Sequence, residues 1–102
     1  MADTKQPGVV LFVRFTSSLP REEAERRYKE RMPQFRALPG LTQKYYLYDP
    51  ETKEWGGLYI WDSQKSLDEY LVSDLRKTIA ETYEVEGNPR VEIIPMIEPL
   101  RS

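Results

Sequence analysis

Between Pro39 and Tyr59 the chain reads PGLTQKYYLYDPETKEWGGLY, two strand-like runs joined by a polar turn too short to hold another element. Leu41–Tyr48 places Leu41, Gln43, Tyr45 and Leu47 on one face and Thr42, Lys44, Tyr46 and Tyr48 on the other, because side chains alternate along a strand. In the turn, Asp49 to Lys53, Pro50 presets φ and the Asp49 side chain can accept from the backbone ahead of it. Trp55–Trp61 returns with Trp55, Gly57, Tyr59 and Trp61 on one face. The paired Gly56 and Gly57 mark a close approach of another group or a bulge that curves the sheet, and the bulge is the reading taken here.

The flanks extend this hairpin into a repeated pattern. Val9–Thr16 (VVLFVRFT) is β-branched and aromatic, interrupted only by Arg14 and Thr16, as in a strand covered on both sides. Ser17, Ser18 and Pro20 form a helix-start signal, and Ala24, Tyr28, Met32 and Phe35 give the apolar stripe of a helix from about residue 20 to the mid-thirties. Pro33 lacks the N–H for the i−4 bond and is expected to kink or restart that helix. After the hairpin, Asp62 or Ser63 caps a second helical region whose stripe is Leu67, Tyr70, Leu71, Leu75, Ile79 and Tyr83, with a break near Ser73-Asp74. Gly87-Asn88-Pro89 closes it, and Arg90–Ile97 is the last strand.

The order is β-α-β-β-α-β, the α+β ferredoxin-like pattern: an antiparallel sheet with helices on one face. Residues 1–102 read as a single domain, with residues 1–8 a loose lead-in. The strands are too apolar to leave the second face wet. A second copy packed sheet to sheet would cover it, so a homodimer in the form of a dimeric α/β barrel is expected.

The chain has no His and no Cys. That removes the commonest general base, thiol nucleophiles, thiolate metal sites and His-ligated haem or iron. Neither a metal nor a cofactor is expected. A net charge of −2 argues against nucleic acid as a ligand. MADTKQPG has no apolar signal region and Val9–Val13 is too short to span a bilayer, so a soluble cytoplasmic protein with no membrane partner is expected.

Pro39-Gly40-Leu41, Lys44, Glu51-Thr52, Glu54, Gly56-Gly57 and Tyr59 at these spacings resemble the YdhR-type monooxygenases, with weaker similarity through Ile60-Trp61-Asp62, Tyr70-Leu71, Val91 and Glu98-Pro99-Leu100. The resemblance implies a dimeric α/β barrel. It also implies kinship of fold with antibiotic-biosynthesis monooxygenases, which oxidise aromatic substrates without metal or flavin. The chain departs from the family pattern at Gln43 and Tyr46, where the pattern has Trp, and at Trp55, where it has Ala.

A cofactor-free oxygenase needs an electron-rich phenol held dry and deprotonated, so an apolar pocket with one or two polar groups suffices. Tyr28, Tyr45, Trp61 and Tyr70 are the aromatic residues expected to hold a small aromatic ligand, with Tyr59 beside them as a catalytic candidate; each can equally be ordinary core. Lys44 is a candidate desolvated base or anion ligand, or the partner of Glu54 across the hairpin. Arg14 could bind an anionic substrate or stabilise a phenolate, or pair with Glu92 or another carboxylate of the last strand or of a partner subunit. The expected activity is cofactor-independent monooxygenation of small phenolic compounds. A non-catalytic binding module, and an isomerase or lyase of a small organic acid anchored by Arg14 or Lys44, are the rivals.

Overall fold

A computed structural model describes residues 8–101. The first seven residues of the expected lead-in lie outside that range. In chain order the elements are β1 (Val9–Ser17), α1 (Arg21–Arg36), β2 (Leu41–Asp49), β3 (Glu54–Trp61), α2 (Gln64–Leu71), α3 (Asp74–Lys77), α4 (Ile79–Tyr83) and β4 (Val85–Pro95). The four strands pair antiparallel in the order β2-β3-β1-β4. The ferredoxin-like expectation is met, with the second helical region divided into three pieces. Ser63 caps α2 by accepting from Ser66 N, and Ser73 caps α3 by accepting from Arg76 N.

The helices cover one face. Val9, Leu11, Val13 and Phe15 of β1 and Trp55, Tyr59 and Trp61 of β3 pack there against Ala24, Phe35, Leu67, Tyr70, Ile79 and Tyr83. Leu11, Trp61 and Leu67 are fully enclosed, each contributing roughly 1.5–3 kcal/mol by leaving water. The opposite face is also apolar. Val10, Phe12, Leu58, Ile60 and Ile94 are cross-strand neighbours on it, and Tyr45, paired with Leu58, lies there too, about half exposed. Among the described residues no helix is long and apolar enough to cross a membrane.

Several local expectations are corrected. α1 runs on through Pro33 to Arg36 without restarting; Pro33 lies within a turn of the helix end. Its N-cap is Pro20, which has no side-chain acceptor; Ser17 and Ser18 lie before the cap, where their hydroxyls donate to the carbonyls of Tyr83 and Glu84 and Ser17 Oγ accepts from Leu19 N. β4 begins at Val85 rather than Arg90: Glu84, in the left-handed region at φ 47°, ends α4 and turns the chain directly into the strand. Gly56 and Gly57 lie in unbroken register with β1. The β2–β3 irregularity falls between Leu41 and Gln43 instead. At Gly57 the missing side chain makes room for a neighbouring ring, since a Cβ would sit 2.9 Å from Tyr59 Cε1.

Candidate functional site

The irregularity in β2 shapes the site. Leu41 pairs with Trp61, and the next residue in register, Gln43, pairs with Ile60, so one residue is extra. An extra residue reverses which side chains face inward. Leu41 and Lys44, three apart, therefore both reach the helix side, followed by Tyr46 and Tyr48. Thr42 and Gln43 remain exposed. Between the end of α1 and this part of β2 runs an open groove of about 330 Å³, walled by Met32, Phe35, Arg36, Leu41, Lys44 and Tyr46.

Lys44 forms the inner end of the groove. Its Nζ lies 3.5 Å from the Phe35 ring centre and 4.4 Å from those of Tyr46 and Tyr59. Among the described residues no carboxylate comes within ion-pair distance of it. Burial lowers its pKa to about 7, and the positive charge of Arg31 pushes the same way. The three ring faces act oppositely, since each attracts an ammonium. The expected pair with Glu54 does not form, because Lys44 faces the helices and Glu54 faces outward, where it meets Arg14 at 3.1 Å and Arg90 at 3.1 Å.

Behind Lys44 the interior is almost full. Tyr28, Lys44, Tyr46, Tyr59 and Tyr83 enclose a void of only about 20 Å³, room for a single water. The tyrosines here are hydroxyl donors rather than bases. Burial pushes Tyr46 up to about 12 and raises Tyr59, Tyr70 and Tyr83 as well. Tyr70 donates to the Tyr59 hydroxyl across a long 3.4 Å. Trp61 stacks parallel to Tyr59 with centroids 6.3 Å apart, and its indole N–H is buried without a partner.

The expected site residues thus separate. Lys44, Tyr59 and Tyr28 surround the small void, Tyr28 stacking on Tyr46 at 4.5 Å. Trp61 and Tyr70 are core, deeper than either space, with 1% and 2% exposure. Tyr45 is not in the aromatic cluster: it is adjacent to Lys44 in the strand and so points to the opposite face. Arg14 is not near Lys44 either. It lies on the outer face and pairs with Glu54 and, at 3.6 Å, Asp49, not with Glu92, whose register partner is Phe12. Sequence reasoning missed Tyr46, two residues from Lys44 and therefore on its face, and Phe35 and Arg36 at the end of α1. Among the described residues no group of three or more His, Cys, Asp or Glu is placed to hold a metal ion.

The family described as "Putative mono-oxygenase ydhR" matches residues 10–87. The chain belongs to the ydhR family. No functionally curated protein matches it. Among solved structures, SnoaB of Streptomyces nogalater, described as a cofactor-independent oxygenase, is similar with a TM-score of 0.74 at 14% identity, over 95% of this chain and 100% of its own. A Caulobacter crescentus protein described as a "putative antibiotic biosynthesis monooxygenase" has a TM-score of 0.76 at 15% identity, over 92% of this chain and 93% of its own. NE2512 of Nitrosomonas europaea, of unknown function, has 0.74 at 17%, over 94% and 95%. At such identities these likenesses establish the fold, and the ydhR match carries the family.

Proposed function

We propose that this ydhR-family chain oxidises small phenolic compounds with dioxygen, without metal or flavin, as one half of a homodimer. The observation that carries the reading is Lys44: a partly buried amine with no carboxylate partner, lowered to about 7, at the inner end of a groove wide enough for one or two aromatic rings. The cofactor-independent oxygenase SnoaB, which shares this fold, lends the cofactor-free form of the reaction. The apolar outer face, with Phe12, Leu58 and Ile60, supports a second copy as its cover.

In this reading the phenol ring lies along Phe35 and Tyr46 with its hydroxyl toward Lys44. The neutral amine takes the phenolic proton, leaving an ammonium facing a phenolate in a poorly hydrated site, where their attraction is strong. The phenolate passes one electron to dioxygen, and the resulting phenoxyl radical and superoxide combine at the carbon para to the oxygen. The peroxide, reprotonated from Lys44, loses water. One oxygen atom stays in the quinone and the other leaves as water, so a phenol and dioxygen give a para-quinone and water.

Oxygen consumption across a panel of phenols and hydroquinones tests this. The expected result is uptake matched, with at least one of them, to a quinone that carries one oxygen atom more than its substrate, taken from isotopically labelled dioxygen, with the rate falling by about two orders of magnitude in Lys44→Met, as for loss of a general base. Absence of uptake throughout the panel, with binding intact, refutes the oxygenase reading and leaves a binding module.

A further inference from the structure

The walls of the groove carry two cations, Arg36 and Lys44, and no carboxylate. Arg14, Arg26, Arg27, Lys29 and Arg90 each meet a carboxylate within 4.0 Å, whereas Arg36 and Lys44 are among the described cations that do not. Arg36 is exposed, and among the described residues its one side-chain hydrogen bond is to the sulfur of Met32 at 3.9 Å. The positive charge of Arg31 also reaches Lys44, while its own donors are taken by the Leu75 carbonyl and the Thr78 and Thr82 hydroxyls. The groove thus carries two cations and no acidic lining residue, in a chain of net charge −2. The negative end of α1 favours a cation at Arg36. It does not explain why no acidic side chain of the groove answers it.

We propose that the ligand of this groove is a hydroxylated aromatic carboxylate, its carboxylate held by Arg36 at the mouth and its ring lying on Phe35 and Tyr46. A planar guanidinium offers two parallel N–H donors to a carboxylate, and the long contact to the Met32 sulfur is the one side-chain bond Arg36 would give up or share. Its role is substrate selection: it binds the end of the ligand remote from Lys44. The proposal rests on the phenolic reading above for the orientation of the hydroxyl, but its test is binding alone.

The probes are 3-hydroxybenzoate, its methyl ester and phenol, titrated by calorimetry and by tryptophan fluorescence against wild type, Arg36→Gln and Arg36→Lys. Wild type is expected to bind the acid about tenfold more tightly than the ester, an advantage that shrinks as salt is raised. Arg36→Gln should abolish that preference while leaving ester affinity and melting temperature unchanged, and Arg36→Lys should restore part of it. An acid preference that survives in Arg36→Gln, or an ester that binds wild type as well as the acid does, overturns the anchor. No binding of any probe overturns the groove as a site. Acid binding through Arg36 without oxygen uptake keeps the anchor and refutes the oxygenase; equal uptake with acid and ester does the reverse.

Discussion

Replacing Lys44 with Met removes one titratable amine from a pH range that is otherwise nearly empty. The chain has no His to titrate between the carboxylates and the tyrosines, and Lys44 is lowered into that range. An unfolded lysine titrates at 10.5 and the folded Lys44 at about 7. Between those values the unfolded chain binds a proton that the folded one does not. Stability therefore rises with pH across the window, reaches its full value above the unfolded pKa, and is lowest below the folded one. Each pH unit is worth at most about 1.4 kcal/mol, so from about pH 7 to about pH 9 the ceiling is roughly 2.5 kcal/mol. The three ring faces around the amine favour its charged form by about 0.5–1 kcal/mol each, which brings the expected gain down to at most about 1 kcal/mol, or up to about 4–8 °C in melting temperature for a domain of this size. The buried tyrosines do not interfere: their folded pKa values are raised, so they cost stability only as pH climbs past the unfolded value of 10.0. Thermal melts of wild type and Lys44→Met at half-unit steps give the answer by subtraction, which also cancels the amino terminus. Wild type should gain on the variant steadily over the window. A flat difference would mean that the rings hold Lys44 as an ammonium throughout, and the proton-accepting role assigned to it would fall.

Gly57→Ala places a methyl 2.9 Å from Tyr59 Cε1, in a ring cluster closed by Trp61 and Tyr70, and should cost about 1–3 kcal/mol, with a matching fall in melting temperature; an unchanged melt would show that the ring can yield. Leu58→Lys places a charge among Phe12, Tyr45 and Ile60 on the outer face, and light scattering at micromolar concentration should find a wild-type dimer and a monomeric variant. A wild type that scatters as a monomer refutes the proposed pairing.

The order of strands and helices was legible because each element carries its own period and punctuation. The Asp49–Lys53 turn, the cap at Ser63 and the break at Ser73 were all written locally, and the Asp49 carboxylate accepts from Glu51 N as the turn requires. The site was less legible, because alternation along a strand says which residues share a face without saying which face lies inside. Lys44 and Tyr45 are neighbours and cannot serve one cavity, nor can Lys44 reach Glu54 when their faces differ. The same rule, applied from the buried Trp55–Tyr59–Trp61 face, would have selected Tyr46 in place of Tyr45. Arg14, on the even positions of β1, is excluded from the helix side by the burial of Val13 and Phe15 beside it.

What no pattern announced was the extra residue between Leu41 and Gln43. Strict alternation from Leu41 puts Lys44 on the opposite face, yet both reach the helix side. Without the irregularity, an inward Leu41 would leave Lys44 facing outward. With it, a charged side chain is carried into an aromatic cluster whose own volume is already filled, so Lys44 lies at the boundary between a full interior and an open groove. On the reading proposed above, that boundary suits a proton acceptor: deep enough for burial to lower its pKa, shallow enough to meet a ligand that does not enter the core. Trp61 and Tyr70 cannot touch such a ligand, and their contribution is to hold Tyr59, and through it the ring wall against which Lys44 rests.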